Sequence, residues 1–567
     1  MHGENHFRFF KAAKFLITWG VLFAATGCSI VENPHPGESN GVQQLSPASN
    51  IPNSVANADT TQNPVAFPAP SSTPSSATGP SSTPTATPSA TPTATPVALN
   101  TCNQSAPALP APSGPVYYFA ENGNDSNNGL STATPKRSLS LIAALAQSAA
   151  PGTHFLLRRG DVFIINLTLT FFLANGTAND PIVMGAYGTG PSPVIDGHTT
   201  ASIITVRGGD AGESQYLHFD SLNLTTTQPA GARPNSGIFT GESAYQNLPH
   251  HLTFSNITTN GLMMGMVLYS PDTLVTHSRI TDNYGLPGEE GFTQGLFASA
   301  PRLKIRNSYF AHNGRLESWF DHGTYLGGND NEFSCNIATN QVNPLKVRRA
   351  HNMLVANNLF YDVPIAITAG GDSNGGLDGL RIVGNTFVNT TLAVNIKSQS
   401  GVAVGAIDFV IANNIFLDPA ATWSPSWLGD PGHQVEVDNS QTANGLIIHN
   451  LFANMERTNI RVNNPGAITI ANNILSRLDT SSAPLLNLSP NVTVSSNLSY
   501  TTQSSFLGVA FTNATSIDPY SRDYHLTAQS NAALNNGIDF TSAWPFDFDG
   551  NPRRVGAAPD IGPFERQ

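Results

Sequence analysis

A short phrase recurs through the second half of the chain: asparagine, one residue, then an aromatic or aliphatic side chain. It reads ANNLF at Ala356–Phe360, VGNTF at Val383–Phe387, ANNIF at Ala412–Phe416, IHNLF at Ile448–Phe452 and ANNIL at Ala471–Leu475. Weaker copies surround Asn256, Asn307, Asn336 and Asn497, and Ser278 takes the asparagine position in SRIT. With the key position at 256, 278, 307, 336, 358, 385, 414, 450, 473 and 497, the steps are 22, 29, 29, 22, 27, 29, 36, 23 and 24 residues. Self-similarity at this period is the mark of a solenoid, because one such unit cannot bury its own apolar face and must stack on its neighbours.

Each phrase follows a short alternating segment, such as MLVA, LRIV, DFVI or LIIH. Alternation over so few residues signals a strand rather than a helix. Strands repeated at this interval would stack about 4.8 Å apart, with asparagine at a corner of every coil. Asparagine tolerates the left-handed backbone region, and its amide can bond to the copy above and below. Phe360, Phe387, Phe416 and Phe452 would then line up inside. Parallel crossovers are right-handed. The expectation is an all-β chain: a right-handed parallel β-helix of roughly ten to twelve coils, with a cap helix over 137–150 ended by Pro151-Gly152. A bare strand edge needs such a cover.

The ends have other characters. Arg8, Lys11 and Lys14 precede an apolar stretch, Phe15–Ala25, that is too short to span a bilayer and reads as a secretory signal. The following Ala25-Thr26-Gly27-Cys28 resembles a bacterial lipoprotein lipobox, with Ala25 where leucine is usual. That resemblance implies cleavage before Cys28, lipidation of its sulfur and attachment to the outer membrane or cell surface. Residues 28–113 are dominated by Pro, Ser, Thr and Ala, and form an expected disordered stalk with too few large apolar residues to fold. The domain expectation is therefore signal 1–27, stalk 28–113 and solenoid 114–567. The net charge is −12 and only 11% of residues are charged, which argues against nucleic-acid binding. Of three cysteines, Cys102 and Cys335 remain to pair or to stay as thiols.

The solenoid opens with YYFAENGNDSNNGLSTATP at Tyr117–Pro135, and PGTHFLLRRGDVF follows. It closes with RDYHL from Arg522, DFDGNP from Asp547 and PDIGPFE from Pro559. These stretches resemble the start and end of bacterial right-handed β-helix proteins of the pectate-lyase-like superfamily. The resemblance implies the fold over about 116–565, but not one activity, since the superfamily holds lyases, hydrolases and epimerases. The opening loop has calcium-like spacing, but Glu121 and Asp125 are its only carboxylates, which favours a capping loop. No metal or cofactor is required by the sequence; the superfamily's lyases work with or without calcium.

Coils longer than the minimum have room for loops that build a binding face. Trp319, Trp423 and Trp427 all fall in such coils, where they would stack on sugars or fold their loops down. In Leu345-Lys346-Val347-Arg348, alternation turns Lys346 and Arg348 outward if Leu345 and Val347 point in. Stacking brings Gly323–Leu326 alongside to within a residue, placing His322 or Tyr325 one strand spacing away. Asn395-Ile396-Lys397, Glu436-Val437-Asp438 and Arg461-Val462-Asn463 continue the polar face. Such a cluster suits β-elimination on an acidic polysaccharide: Arg348 or Arg349 for the carboxylate, Lys346 as base, and Tyr325 or His322 as acid. Trp319, Trp423, Trp427, Lys397 and Glu436 would add substrate contacts. The alternatives are a non-catalytic glycan-binding or adhesin-like lipoprotein, a glycoside hydrolase built on Glu289, Glu290, Glu317, Asp321 or Asp330, and a C5-epimerase. The expected partners are an extracellular polysaccharide and, through Cys28, a membrane; the protein is expected to be a monomer.

Overall fold

A computed structural model describes Cys102 and residues 104–567, except 200, 210–211, 242–246, 287–292, 319, 373–374, 398–404, 418–427, 429–431, 439–441, 443, 464–465 and 517–520. Cys28, the signal and most of the stalk lie outside the described residues, as do Trp319, Trp423 and Trp427.

The chain winds as a right-handed parallel β-helix. One face, here face A, is a 14-stranded parallel sheet. Most of the other strands form a 23-stranded sheet that bends into two faces; Leu377–Asp378 with Ala406–Ile407, and Phe511–Asn513 with Asp523–Leu526, form two small separate pairs. Face B carries short strands such as Ile337–Thr339, and face C carries strands such as Leu345–Arg348. In two coils the bend is continuous: Leu359–Gly370 and Thr386–Lys397 each run 12 residues across both faces. The N-terminal end is closed by helix α1, Ser140–Gln147, shorter at both ends than expected. Its Ile142 and Ala146 join the core. Asp125 explains the short start: its Oδ1 accepts the N–H groups of Arg137 and Ser138 at 2.9 and 2.8 Å, so the asparagine-rich loop is a capping loop.

The asparagine phrase divides its labour, in a way the repeat alone did not reveal. The second asparagine of each ANN forms the ladder between faces A and B. The Asn414 amide donates to Asn450 Oδ1 at 3.0 Å and to the Ile382 carbonyl at 2.9 Å, while its oxygen accepts from the Asn385 side chain at 3.0 Å. The ladder runs Ser278, Ser308, Asn336, Asn358, Asn385, Asn414, Asn450, Asn473, Asn497. The residue before each rung takes the left-handed turn, as at Asn357 (φ 58°), Asn413 (φ 56°) and Asn472 (φ 58°). Asn256 and Asn307, expected as rungs, are turn residues instead, with φ 53° and 48°. The neighbours Ile257 and Ser308 hold the rung positions.

Inside, Phe360, Phe387, Phe416 and Phe452 stack as expected, with centroids 5.3, 4.9 and 4.3 Å apart and rings within 8° of parallel. Phe333 and Phe310 extend the column. All six are fully buried, so each contributes several kcal/mol, about 3–5 by the cost of truncating such a side chain.

The chain's two ends cover outer surfaces. Cys102 is disulfide-bonded to Cys335, which settles the choice between pairing and free thiols. From there the segment 104–113 lies against face A. The Gln104 carbonyl accepts from His277 Nε2 at 2.8 Å, and Ser113 Oγ donates to Asp180 at 2.5 Å. The C-terminal tail covers later coils. Trp544 packs on Leu354, Ala356, Val383, Val410, Ala412, Ile448 and Ala471, the outward residues of face A. Phe506, Tyr524 and Phe564 pack on the outer side of face B at Val388, Ile415 and Leu451. The turn asparagines hold this tail: Asn413 donates to the Phe546 carbonyl and Asn472 to the Ile538 carbonyl, both at 2.7 Å. The fully buried Arg553 donates to Asn413 Oδ1 and to the carbonyls of Gly562 and Pro563. Burial lowers its guanidinium to about 10, and burial pushes the nearby Glu565 carboxyl up to about 7.

Candidate functional site

Face C is different. Chain insertions leave at both of its edges. In the sequence, the longer connections between its strands and those of face B are 282–293, 312–321 and 418–432, and those toward face A are 371–376 and 398–405; much of this lies outside the described residues.

The expected register holds. Thr324 pairs with Leu345, so Tyr325 pairs with Lys346 and Gly327 with Arg348. Leu326, Leu345 and Val347 are in the core, which turns Tyr325, Lys346 and Arg348 outward. The outward row continues through Thr368, Asn395, Glu436 and Arg461 in strict register. Upstream it holds Phe297, whose ring stacks 5.3 Å from Tyr325.

Outward does not mean solvated here. Tyr325, Lys346 and Arg348 are 7%, 2% and 6% exposed, although lysine and arginine are almost never buried on ordinary surface. His322, 3% exposed, stands at the start of the same strand as Tyr325. Its ring centroid is 5.7 Å from that of Tyr325, and its Nδ1 is 3.3 Å from the Asn343 amide. Thus His322, Tyr325, Lys346 and Arg348 are gathered on one buried patch.

The arginines are held by a turn that sequence reasoning missed. Arg348 donates to the Gly371 carbonyl at 2.9 Å, and Arg349 Nε is 3.1 Å from Asp372 Oδ2. Asp372 and Gly375 exchange backbone hydrogen bonds, closing the turn. Arg349 itself sits at φ 48°, an uncommon conformation for a bulky residue that this pairing holds in place. The only signal in the sequence was a single aspartate inside the glycine-rich run at 370–376. Burial pushes the Tyr325 phenol up; Arg348 and Arg349 pull against this without reversing it. Tyr325 therefore keeps its proton at neutral pH.

The remaining candidates lie two and three coils along. Lys397 faces Asp438 at 3.4 Å. Glu436 lies 3.4 Å from both His433 and Arg461. Burial would raise the Glu436 carboxyl, but His433, Lys397 and Arg461 together bring it below its ordinary value. Of the five acids weighed for hydrolysis, three are described. Glu289 and Glu290 lie outside the described residues. Glu317 is exposed, Asp321 is fully buried against Arg315 at 3.1 Å, and Asp330 bonds Asn352 at the edge of face A. Among the described residues, no three His, Cys, Asp or Glu side chains are grouped to hold a metal ion.

No known family model matches the sequence. The chain is 24% identical over 331 residues to pectate lyase L of Dickeya chrysanthemi, covering 54% of this chain and 72% of that protein. Among solved structures it is similar to the pectate lyase Pel9A, at 18% identity and TM-score 0.36, over 80% of this chain and 96% of the other. It is also similar to a lacto-N-biosidase from Eubacterium ramulus, at 15% identity and TM-score 0.40, over 68% of each chain.

Proposed function

We propose that the protein is a polysaccharide lyase acting on an acidic polysaccharide at the outer side of face C. The observation that carries this reading is the register pair Tyr325–Lys346, buried and outward beside Arg348. β-Elimination from a uronate needs a base for the C–H next to the carboxyl group, an acid for the leaving oxygen, and positive charge on the carboxylate as electrons move into it. Lys346 is the base in this reading. Tyr325 carries a phenolic proton to give, with His322 close enough to share the role. Arg348 offers a planar fork to the carboxylate. Arg349, turned to Asp372 and Tyr325, positions the acid rather than the substrate. The partial sequence likeness to a pectate lyase supports elimination.

Hydrolysis by paired carboxylates is less well supported. It requires one acid with a raised pKa facing an ionised one, whereas Glu436 is lowered and Asp438 is paired with Lys397. In the same proposal the head is displayed by a lipid anchor at Cys28 and a flexible stalk, with 114–567 as the working domain and calcium left as an optional aid.

The test is incubation of the protein with pectate, alginate and glycosaminoglycans while following ultraviolet absorbance from unsaturated uronate ends. Rising absorbance with at least one polymer is expected. Tight retention on a polymer without absorbance or new reducing ends would mean a glycan-binding protein; reducing ends without absorbance would mean a hydrolase.

A further inference from the structure

Between Lys346 and Glu436 the outward row carries two neutral side chains, Thr368 and Asn395, which are register partners on neighbouring strands. Their flanking residues Ile367, Ala369, Val394 and Ile396 are all in the core, so both side chains point outward. On a solvated surface such groups would bind water. Here they are 3% and 6% exposed, and neither Thr368 Oγ1 nor Asn395 Oδ1 has a hydrogen-bond partner among the described residues. A buried polar atom left without a partner destabilises the fold that holds it. Two of them, on adjacent coils beside the candidate site, point to a ligand that supplies what the protein withholds.

The row changes chemical character along its length. Lys346 and Arg348 can only donate hydrogen bonds. One to three coils further on, or ~5–14 Å at the strand spacing, the row offers acceptors. Asn395 Oδ1 only accepts, and the carboxylates of Glu436 and Asp438 only accept. The cations there, Lys397 and Arg461, are already turned to Asp438 and Glu436, each at 3.4 Å. A uronate's hydroxyls can also donate, but at the second stretch its carboxylate would stand beside Glu436 and Asp438, whose cations are engaged, so the uronate is matched to the first stretch and a sugar without a carboxylate to the second. A sugar hydroxyl or acetamido N–H brings the donor that Asn395 lacks, and Thr368 can complete the pair in either sense.

We infer that Thr368 and Asn395 form a subsite for an uncharged, hydroxyl- or acetamido-bearing sugar, next to the acidic sugar held at Lys346 and Arg348. The polymer is then a heteropolymer that mixes acidic and neutral sugars, rather than an unbroken polyuronate. This rests on the reading of Lys346 and Arg348 as the carboxylate site.

Equilibrium binding of the full chain at 4 °C, with absorbance followed in the same cell, separates the two ideas. The probes are a hyaluronan hexasaccharide, which alternates uronate with N-acetylhexosamine, and hexagalacturonate. The expected result is at least about tenfold tighter binding of the alternating probe, roughly one full hydrogen-bond discrimination. The Thr368→Val, Asn395→Leu double variant should reduce that preference to within about twofold. Asn395→Ser, which keeps an acceptor, should retain most of the preference. Equal binding of both probes by the unaltered protein, lost on Arg348→Gln, would overturn the neutral subsite and leave the carboxylate site standing. Binding of neither probe, or binding indifferent to Arg348→Gln, would overturn both. A preference that survives the double variant would overturn the assignment to Thr368 and Asn395.

Discussion

Faces A and C are built from the same repeating strands, yet the chain treats their outer sides in opposite ways. Two stretches of the outer side of face A are covered by the chain's own ends. Near its start lies the 104–113 segment, fastened by the Cys102–Cys335 bond. Further along, Trp544 sits on a smooth patch of Leu354, Ala356, Val383, Val410 and Ala412. The outer side of face C has tyrosine, lysine, arginine, asparagine and glutamate at the equivalent outward positions. Apolar outward residues under a terminus are explained by packing. Buried outward cations are costly to desolvate, and face C holds Arg348 and Arg349 there through the Gly371 carbonyl and Asp372. In the proposed reading function belongs to face C, and the patch under Trp544 is what the same scaffold looks like where it only packs.

The sharpest way to break this contrast is to remove the base. Lys346→Met should lower elimination by about a thousandfold, with the thermal unfolding midpoint nearly unchanged. Loss of folding instead, read by circular dichroism, would make Lys346 structural and equate the two faces. The converse substitution comes next. Trp544→Ala should cost about 3 kcal/mol in denaturant unfolding of the tail, while cleavage of polymer stays within about twofold. A matching collapse of activity would show that face A also serves the site. Between the faces, Asn414→Leu removes one rung and leaves the Asn385 backbone N–H without its acceptor, while the Asn385 amide keeps only the Val355 and Val383 carbonyls. A loss of about 2 kcal/mol is expected from unfolding curves, and a neutral outcome would mean that the phenylalanine column alone holds the coils.

The smallest effect concerns pH and belongs to the tail. His525 is raised to about 9, chiefly by its hydrogen bond to Asp549. Its contribution is complete below its ordinary value of 6.5 and is lost as pH rises through 9. Glu565 is raised from 4.5 to about 7 by burial, so ionising it above 4.5 weakens the folded tail until the cost levels off above 7. Both act in one direction: the tail should be most stable near pH 5 and weaken toward pH 9. The His525 side chain is 47% exposed, so solvent screening keeps its share below about 1 kcal/mol. Thermal unfolding of the protein across this range should show the trend, and His525→Gln with Glu565→Gln should flatten it.

The fold was legible in the sequence because period and alternation are properties of consecutive residues. The asparagine steps revealed the coils, and LKVR revealed which side chains face out. What sequence could not resolve was a matter of one residue or of long range. In ANN both asparagines look alike, yet Asn413 turns the chain and binds Arg553, while Asn414 makes the ladder. The cluster of His322, Tyr325, Lys346 and Arg348 was legible because it needs only the register of adjacent coils. The turn at Asp372 was not, because nothing local says that an aspartate in a glycine-rich run will reach Arg349 on the strand before it. Nor could the sequence show that face A is covered, since that depends on residues hundreds of positions away packing back.

The central claim is that chemistry belongs to face C and not to face A, and one paired measurement tests it most directly. Lys346→Met on face C and Lys304→Met on face A each remove one lysine from the outer side of the same scaffold; Lys304 is exposed. Initial rates of unsaturated-uronate formation should fall about a thousandfold for the first and remain within about twofold of the unaltered protein for the second. Equal rates for the two variants, whether both retained or both lost, would contradict the account.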